Sequence, residues 1–307
     1  MTVKDRATKA KVRASELLQR YERRPVVDVL MRVYRRDRES AGTLVGSAIA
    51  FRLFLFFVPL VLFAVGVLGF IGEQYDASEV NDAAGIKGTL AAQIAAALSQ
   101  PNSTRWIAVL LGLVGMVTAG RALSKVLVQA SCLAWQLPVG SKASVRIVGG
   151  VIGLVVGIGL ITVLVSRARA ELGIAVTGIS FLVAFVLYVP LWVLLTAMLR
   201  RATTDPGALL PGAVLLAATI VTLQAVSVLY LPDRFQRASA VYGAIGSTIV
   251  TLGWFFALGR VIPLALALNA VIHERFGSVA RFAFSLPVLR LLARHSKLIR
   301  RVFNLEE

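Results

Sequence analysis

The sequence contains few of the residues that build catalytic and metal sites. Of its 307 residues, only Cys132 is a cysteine and two are histidines. A disulfide framework within one chain and a thiolate metal site are therefore excluded. No HExxH, paired-carboxylate, CxxC or P-loop pattern occurs, and His273 and His295 lie 22 positions apart near the C-terminus. We expect neither an enzymatic activity nor a cofactor.

Charged residues are also scarce, at 16% of the chain, whereas 57% of residues are hydrophobic. The mean hydropathy is +0.78. This composition excludes an ordinary soluble domain and a disordered chain, and it is typical of a polytopic membrane protein.

Apolar runs long enough to cross a bilayer, which takes about 20 residues, occur six times. They cover approximately residues 44–71, 106–135, 145–166, 172–199, 208–231 and 243–272. The predicted fold is therefore all-α, with six transmembrane helices. It divides into a basic N-terminal segment (1–43), a membrane domain (44–275) and a basic amphipathic tail (276–307).

Lysine and arginine are distributed unequally between the two sides that these spans define. The tails and the loops on their side hold 23 such residues, and the opposite side holds six. This asymmetry predicts that both termini are cytoplasmic. The basic runs flank apolar helices, so we interpret the net charge of +17 as attraction to anionic lipid headgroups rather than to nucleic acid.

Amphipathic helices are predicted outside the spans. Residues 86–98 of the first outer loop carry an apolar residue at every fourth position, and residues 288–303 combine an apolar face with a basic one. The second segment reads as an interfacial helix on the inner leaflet, with a merely solvated tail as the alternative. Pro25 divides the N-terminal segment 4–38 into two helical pieces.

A stripe of glycines marks the third span. Gly149, Gly153 and Gly157 recur at every fourth position. Small residues at this spacing let another helix approach closely, so we predict that this face packs against a neighbouring helix.

Four basic residues lie inside the predicted spans without an acidic residue beside them: Arg52, Arg121, Lys125 and Arg260. A cation near the bilayer centre costs about 2.5 to 3.5 kcal/mol on insertion scales, so each needs a partner or a function. All 16 acidic residues lie in tails and loops. We therefore predict that an external anion binds these cations in a basic vestibule open to the cytoplasm. The alternative is that the side chains snorkel to inner-leaflet phosphates.

Two stretches of the chain resemble the BrkB/YihY family of bacterial inner-membrane proteins. The first runs from Ala50-Phe51 to Pro59-Leu60. The second comprises Pro211-Gly212-Ala213, Tyr230-Leu231, Tyr242-Gly243, Trp254 and Asn269-Ala270, in the order and approximate spacing of that family's last two spans. The likeness covers roughly residues 30–275, and Arg260 after Phe255-Phe256-Ala257 is similar to the YhjD-like branch.

The chain also departs from the family pattern. Phe56 stands where many members have a serine, Arg52 where an aromatic is usual, and Ala267 where a glutamate commonly precedes Asn269. No role that depends on a carboxylate at that position can be carried over.

The resemblance implies a multi-pass protein of the bacterial inner (plasma) membrane. Some members were once labelled ribonuclease BN, which does not fit blocks that lie inside the bilayer. Other members are linked to virulence and to transport of envelope lipids. Two hypotheses follow: transport or flipping of an anionic lipid or amphiphile, and a non-transporting organiser that binds anionic lipids or a partner protein. Homo-oligomerisation and an energising partner chain are left open, because the sequence contains no nucleotide-binding motif.

Overall fold

The computed structural model describes residues 25–71, 102–140, 144–172 and 177–277, and within these ranges it contains helices and no strand. The helices are α1 (Pro25–Glu39), α2 (Gly42–Ile71), α3 (Asn102–Ala134), α4 (Val145–Leu172), α5 (Thr177–Met198) and α6 (Leu210–Phe276), with a 3₁₀ turn at Pro206–Leu209. Within the described ranges, six segments are long and apolar enough to cross a membrane: Gly42–Val67, Arg105–Ala134, Val145–Val165, Ile179–Met198, Pro206–Val226 and Thr248–Phe276. The predicted all-α, six-span fold is confirmed.

The long helix α6 supplies both the fifth and the sixth span. The backbone N–H of Gly212 donates to Oδ1 of Asn269 at 2.7 Å, although the two residues are 57 positions apart. A straight helix would separate them by about 85 Å at its rise of 1.5 Å per residue. The helix therefore reverses direction between its two spans, and its halves pack against each other.

Helix α2 packs between α3 and the second half of α6. Carbon atoms placed at Cβ of Gly112 and Gly115 would come within 2.6 Å of Phe63 and Pro59. In a bilayer, helices associate through close packing of small residues rather than through the hydrophobic effect. Because glycine has no side chain, Gly112 and Gly115 let α2 and α3 approach closely.

The glycine stripe of α4 does not form the predicted packing face over its whole length. A Cβ at Gly149 or Gly153 would meet nothing within 4 Å among the described residues, whereas one at Gly157 would lie 3.1 Å from Leu191 of α5. The prediction is therefore wrong for the first two glycines. Gly150, one position outside the stripe, faces Met198 instead.

Helix α1 packs onto the end of the last span. Val29 and Val33 are buried against Ala267, Val271 and Ile272. Four positions separate the two valines, so they lie on one face of α1. Asp37 follows at the next step of four on that face and is also buried, whereas Arg32 and Arg35 lie on the exposed side of α1. Helix α1 confirms the second of the two helical pieces predicted on either side of Pro25. The first piece, residues 4–24, and the amphipathic helices predicted at 86–98 and 288–303 lie outside the described residues.

The contact between Gly212 and Asn269 gives a test of the α6 hairpin. A Cβ at Gly212 would lie 2.7 Å from both terminal atoms of the buried Asn269 side chain. Overpacking of this kind costs about 1 to 3 kcal/mol. We expect Gly212→Ala to lower the free energy of unfolding by that amount in a titration with sodium dodecyl sulfate.

The matched control is Gly153→Ala, which adds the same methyl group to open space. It should leave the unfolding free energy unchanged within about 0.5 kcal/mol. Equal losses in the two variants would show that the fold does not depend on the Gly212 contact.

Candidate functional site

Arg260 already has a carboxylate partner within the protein. Its Nη1 donates to Oδ1 of Asp37 at 2.8 Å, and its Nη2 donates to Oδ2 at 2.5 Å. The Asp37 side chain is 3% exposed and that of Arg260 is 28% exposed. Asp37 lies in α1, outside the spans, as the sequence indicated. The structure nevertheless brings it to the cation of the last span, so Arg260 does not require an external anion.

The other three cations lie within about one helical turn of one another along the bundle. Phe56 of α2 faces Gly120 of α3, with Cε2 of the ring 3.4 Å from the position of a Cβ there. Arg52 lies one turn before Phe56, and Arg121 follows Gly120 directly. Because α2 and α3 are antiparallel, Arg52 and Lys125 share a depth, about 15 Å from the first residue of α2. All three side chains are exposed on the bundle.

The four predicted anion-binding residues therefore divide into two sets. Arg260 is paired near the α1 end, and Arg52, Arg121 and Lys125 are exposed within about one helical turn of one another in depth. Neither of the two cavities described below is lined by any of them. Among the described residues, the four do not line one shared cavity, so binding of an external anion in a vestibule open to the cytoplasm stays a prediction.

An apolar cavity of about 260 Å³ lies in the middle of the bundle. Four spans supply its walls: α2, α4 and both halves of α6. Its lining residues are Leu53, Phe56, Phe57, Leu60, Val155, Ile158, Ile220, Leu223, Gln224, Trp254, Phe255 and Leu258. Phe56 belongs both to this wall and to the contact with Gly120. The apolar cavity therefore lies within one helical turn of the level of the three exposed cations.

Gln224, a polar residue of this wall, belongs to a hydrogen-bonded triad with Thr162 and Tyr188. Nε2 of Gln224 donates to Oγ1 of Thr162 at 2.9 Å and to the Tyr188 hydroxyl at 2.7 Å. The Thr162 hydroxyl donates to the carbonyl of Ile158, so the 2.9 Å contact between the two hydroxyls has Tyr188 as its donor. Both protons of the Gln224 amide nitrogen are thus used within the protein. The triad joins α4, α5 and α6, and it leaves the Gln224 carbonyl as the remaining acceptor of that side chain.

A second cavity, of about 230 Å³, lies between α1 and the end of α6. We name it the arginine cavity after its lining residues: Arg32, Arg35, Arg36, Glu39, Val271, Glu274 and Arg275. Nη1 and Nη2 of Arg36 donate to the two carboxylate oxygens of Glu274 at 3.0 and 2.6 Å, and Nη1 also donates to the Ala134 carbonyl at 2.9 Å. Arg36 thereby ties α1 to both α3 and α6.

Sequence reasoning missed Asp37, Gln224 and the arginine cavity. The i, i+3 and i, i+4 spacing of Arg32, Arg35, Arg36 and Glu39 was visible as one charged helix face. The opposite wall of the cavity could not be identified from the sequence, because its residues lie more than 200 positions later in the chain: Val271, Glu274 and Arg275. The described residues contain no group of three or more His, Cys, Asp or Glu side chains that could hold a metal ion.

The Asp37–Arg260 pair generates a stability prediction. Removing one partner of a buried ion pair leaves an uncompensated charge, which costs about 3 kcal/mol or more. We expect Asp37→Asn to lower the unfolding free energy by roughly that amount, and Asp37→Asn/Arg260→Gln to lower it by less. The double variant loses less because it leaves no buried charge without a partner.

The control is Arg32→Gln, which breaks the ion pair between Arg32 Nε and Asp28 Oδ2 on the surface of α1. The Arg32 side chain is 59% exposed, so this change should cost less than about 1 kcal/mol. Additive losses from Asp37→Asn and Arg260→Gln would show that the two groups do not interact.

Comparison with known proteins agrees with this architecture. The family model described as "Virulence factor BrkB" matches residues 33–284, which include all six spans and the C-terminal part of α1. No curated protein and no solved structure matches the chain. The motif residues Gly212 and Asn269, which carried the resemblance, are the two that close the α6 hairpin. The protein is a multi-pass membrane protein that belongs to the BrkB virulence-factor family.

Proposed function

We propose that this protein moves an anionic lipid or another anionic amphiphile between the two leaflets of the bacterial inner membrane, with both of its termini in the cytoplasm. It acts without enzymatic chemistry on the molecule it moves. The observation that carries this proposal is the apolar cavity between four spans, within one helical turn of the level of Arg52, Arg121 and Lys125.

The two features match the two parts of an amphiphile. An apolar chain in the cavity would replace its contacts with lipid by contacts with aromatic and aliphatic side chains. An anionic headgroup one turn away would meet cations that otherwise face hydrocarbon at a cost of about 2.5 kcal/mol or more. Because the three cations are exposed on the bundle, the headgroup would travel along a lipid-facing surface of α2 and α3 rather than through an enclosed channel.

Arg260 has a different role in this proposal. Both Nη atoms of its guanidinium group donate to the carboxylate oxygens of Asp37, so Arg260 holds α1 against the last span. We therefore assign headgroup binding to Arg52, Arg121 and Lys125. A test through Arg260 would confuse a loss of binding with a loss of structure.

The headgroup contribution can be tested in liposomes that contain a fluorescent anionic lipid and, separately, a zwitterionic lipid with the same label. Arg121→Gln/Lys125→Gln should slow movement of the anionic lipid about tenfold, since a hydrogen bond to a charged group contributes about 1.5 to 3 kcal/mol. The control is Arg38→Gln/Arg146→Gln, which removes the same charge from exposed positions in α1 and α4. Unchanged movement of the anionic lipid in the first variant would contradict the proposal.

The cavity contribution has its own test in the same assay. Leu223→Trp places a larger side chain in the apolar cavity and should slow both lipids by excluding their chains. Leu160→Trp makes the same exchange on the exposed face of α4, where the leucine is 66% exposed, and should preserve the rate. Equal rates for the two tryptophan variants would exclude the cavity from the path.

A second candidate is a membrane organiser that binds anionic lipids or a partner protein without moving lipid. The arginine cavity favours it, because that site lies at the predicted cytoplasmic end and away from the apolar cavity. The organiser is supported if wild-type liposomes show no lipid movement while the protein retains anionic lipid.

A further inference from the structure

We propose that the arginine cavity binds a phosphate group at the end of the bundle formed by α1 and the last turn of α6. This site is separate from the apolar cavity and does not rest on the transport function. Its lining side chains include four arginines and two glutamates, and the carboxylate of Asp28 contacts two of those arginines, which together leaves a formal excess of one positive charge. That excess favours an anionic group such as phosphate.

Internal ion pairs hold three of the four arginines in place. Arg36 is bound to Glu274 at 2.6 Å, and its side chain is 12% exposed. Arg32 and Arg275 both contact the carboxylate of Asp28, so one negative charge serves two positive ones. A guanidinium group has five N–H donors, and a pair with one carboxylate leaves some of them free for another acceptor. Each of these arginines is therefore held in place by the protein and still has N–H groups that can donate to a ligand.

Arg35 provides the cation that is not used by the protein itself. It lines the cavity and is exposed, and the part of the chain that the structure describes offers it no hydrogen bond or ion pair. It lies three positions after Arg32 and four before Glu39, so all three project from one face of α1. The planar fork of arginine binds two phosphate oxygens at once, which a lysine cannot do.

The size of the cavity restricts the ligand to a small group. A volume of about 230 Å³ corresponds to roughly eight water molecules at their share of liquid volume, which accommodates a phosphate group but not a folded peptide segment. The group could belong to a lipid headgroup of the adjoining leaflet or to a soluble phosphate compound. Both present the same oxygens to the arginines.

Glu39 provides a second test of the site, in which the expected change in phosphate affinity has the opposite sign. Its carboxylate lines the same cavity and repels an anion there. Removing that charge should strengthen phosphate binding, whereas removing the charge of Arg35 should weaken it. A cationic ligand would show the opposite changes in affinity, and the affinity of a neutral ligand would change little in either variant.

The experiment uses the full chain in nanodiscs of phosphatidylcholine. In one arm the nanodiscs also contain phosphatidic acid, and the lipid retained after release is measured by native mass spectrometry. In the other arm phosphatidic acid is omitted and inorganic phosphate is titrated by calorimetry. We expect Arg35→Gln to weaken binding about tenfold and Glu39→Gln to strengthen it about threefold.

The matched control is Arg38→Gln, which removes an exposed arginine from the same helix. Arg38 lies over the Tyr34 ring at 5.9 Å and does not line the cavity, so its loss should change binding less than twofold. The expected signs in the phosphatidic acid arm alone identify a lipid headgroup, and the same signs with inorganic phosphate identify a soluble ligand. Equal effects of Arg35→Gln and Arg38→Gln, or no binding in either arm, would overturn the proposal.

Discussion

The ion pair between Asp37 and Arg260 determines how the polar and apolar parts of this protein fit together. The carboxylate is buried under α1, and the guanidinium belongs to a membrane span. Separated, each would be a costly buried charge. Together they fix α1 across the end of the bundle. The burial of Val29 and Val33 and the formation of the arginine cavity both depend on this position of α1.

Charge and apolar volume are arranged in three levels along the bundle. The arginine cavity lies at the α1 end, the exposed cations Arg52, Arg121 and Lys125 follow at about 15 Å along α2, and the apolar cavity comes next. A molecule with an anionic head and an apolar tail meets complementary surfaces at adjacent levels. The Gln224 triad stands in the apolar wall with its amide protons and both hydroxyl protons already donated within the protein. Its donor groups therefore do not require water inside the bundle.

The spans were predictable because lipid imposes one constraint on every segment that crosses it. A backbone without water must satisfy its own hydrogen bonds, which leaves the helix as the solution for a long apolar run. The predicted run 145–166 and the observed span Val145–Val165 agree almost residue by residue for this reason. The reversal of α6 was implied in the same way, since residues 208–231 and 243–272 each suffice to cross a bilayer.

The partners of charged and small residues were not predictable, because they depend on contacts between distant parts of the chain. Asp37 looked like one acid in a basic cytoplasmic segment, and only the docking of α1 brings it to Arg260, 223 positions later. The packing prediction for the glycine stripe of α4 was wrong for a related reason. Spacing shows that Gly149 and Gly153 share a face, but it does not show which face of α4 meets another helix. The family motif was informative where its residues touch, at Gly212 and Asn269.

The distance in sequence between Asp37 and Arg260 has a consequence for biogenesis. Domains fold as the ribosome delivers them, at roughly 5 to 20 residues per second, so the arginine leaves the ribosome roughly 10 to 45 seconds after the aspartate. Throughout that interval the carboxylate of Asp37 has no Arg260 with which to pair. The docking of α1 against the last span is therefore a late event in assembly.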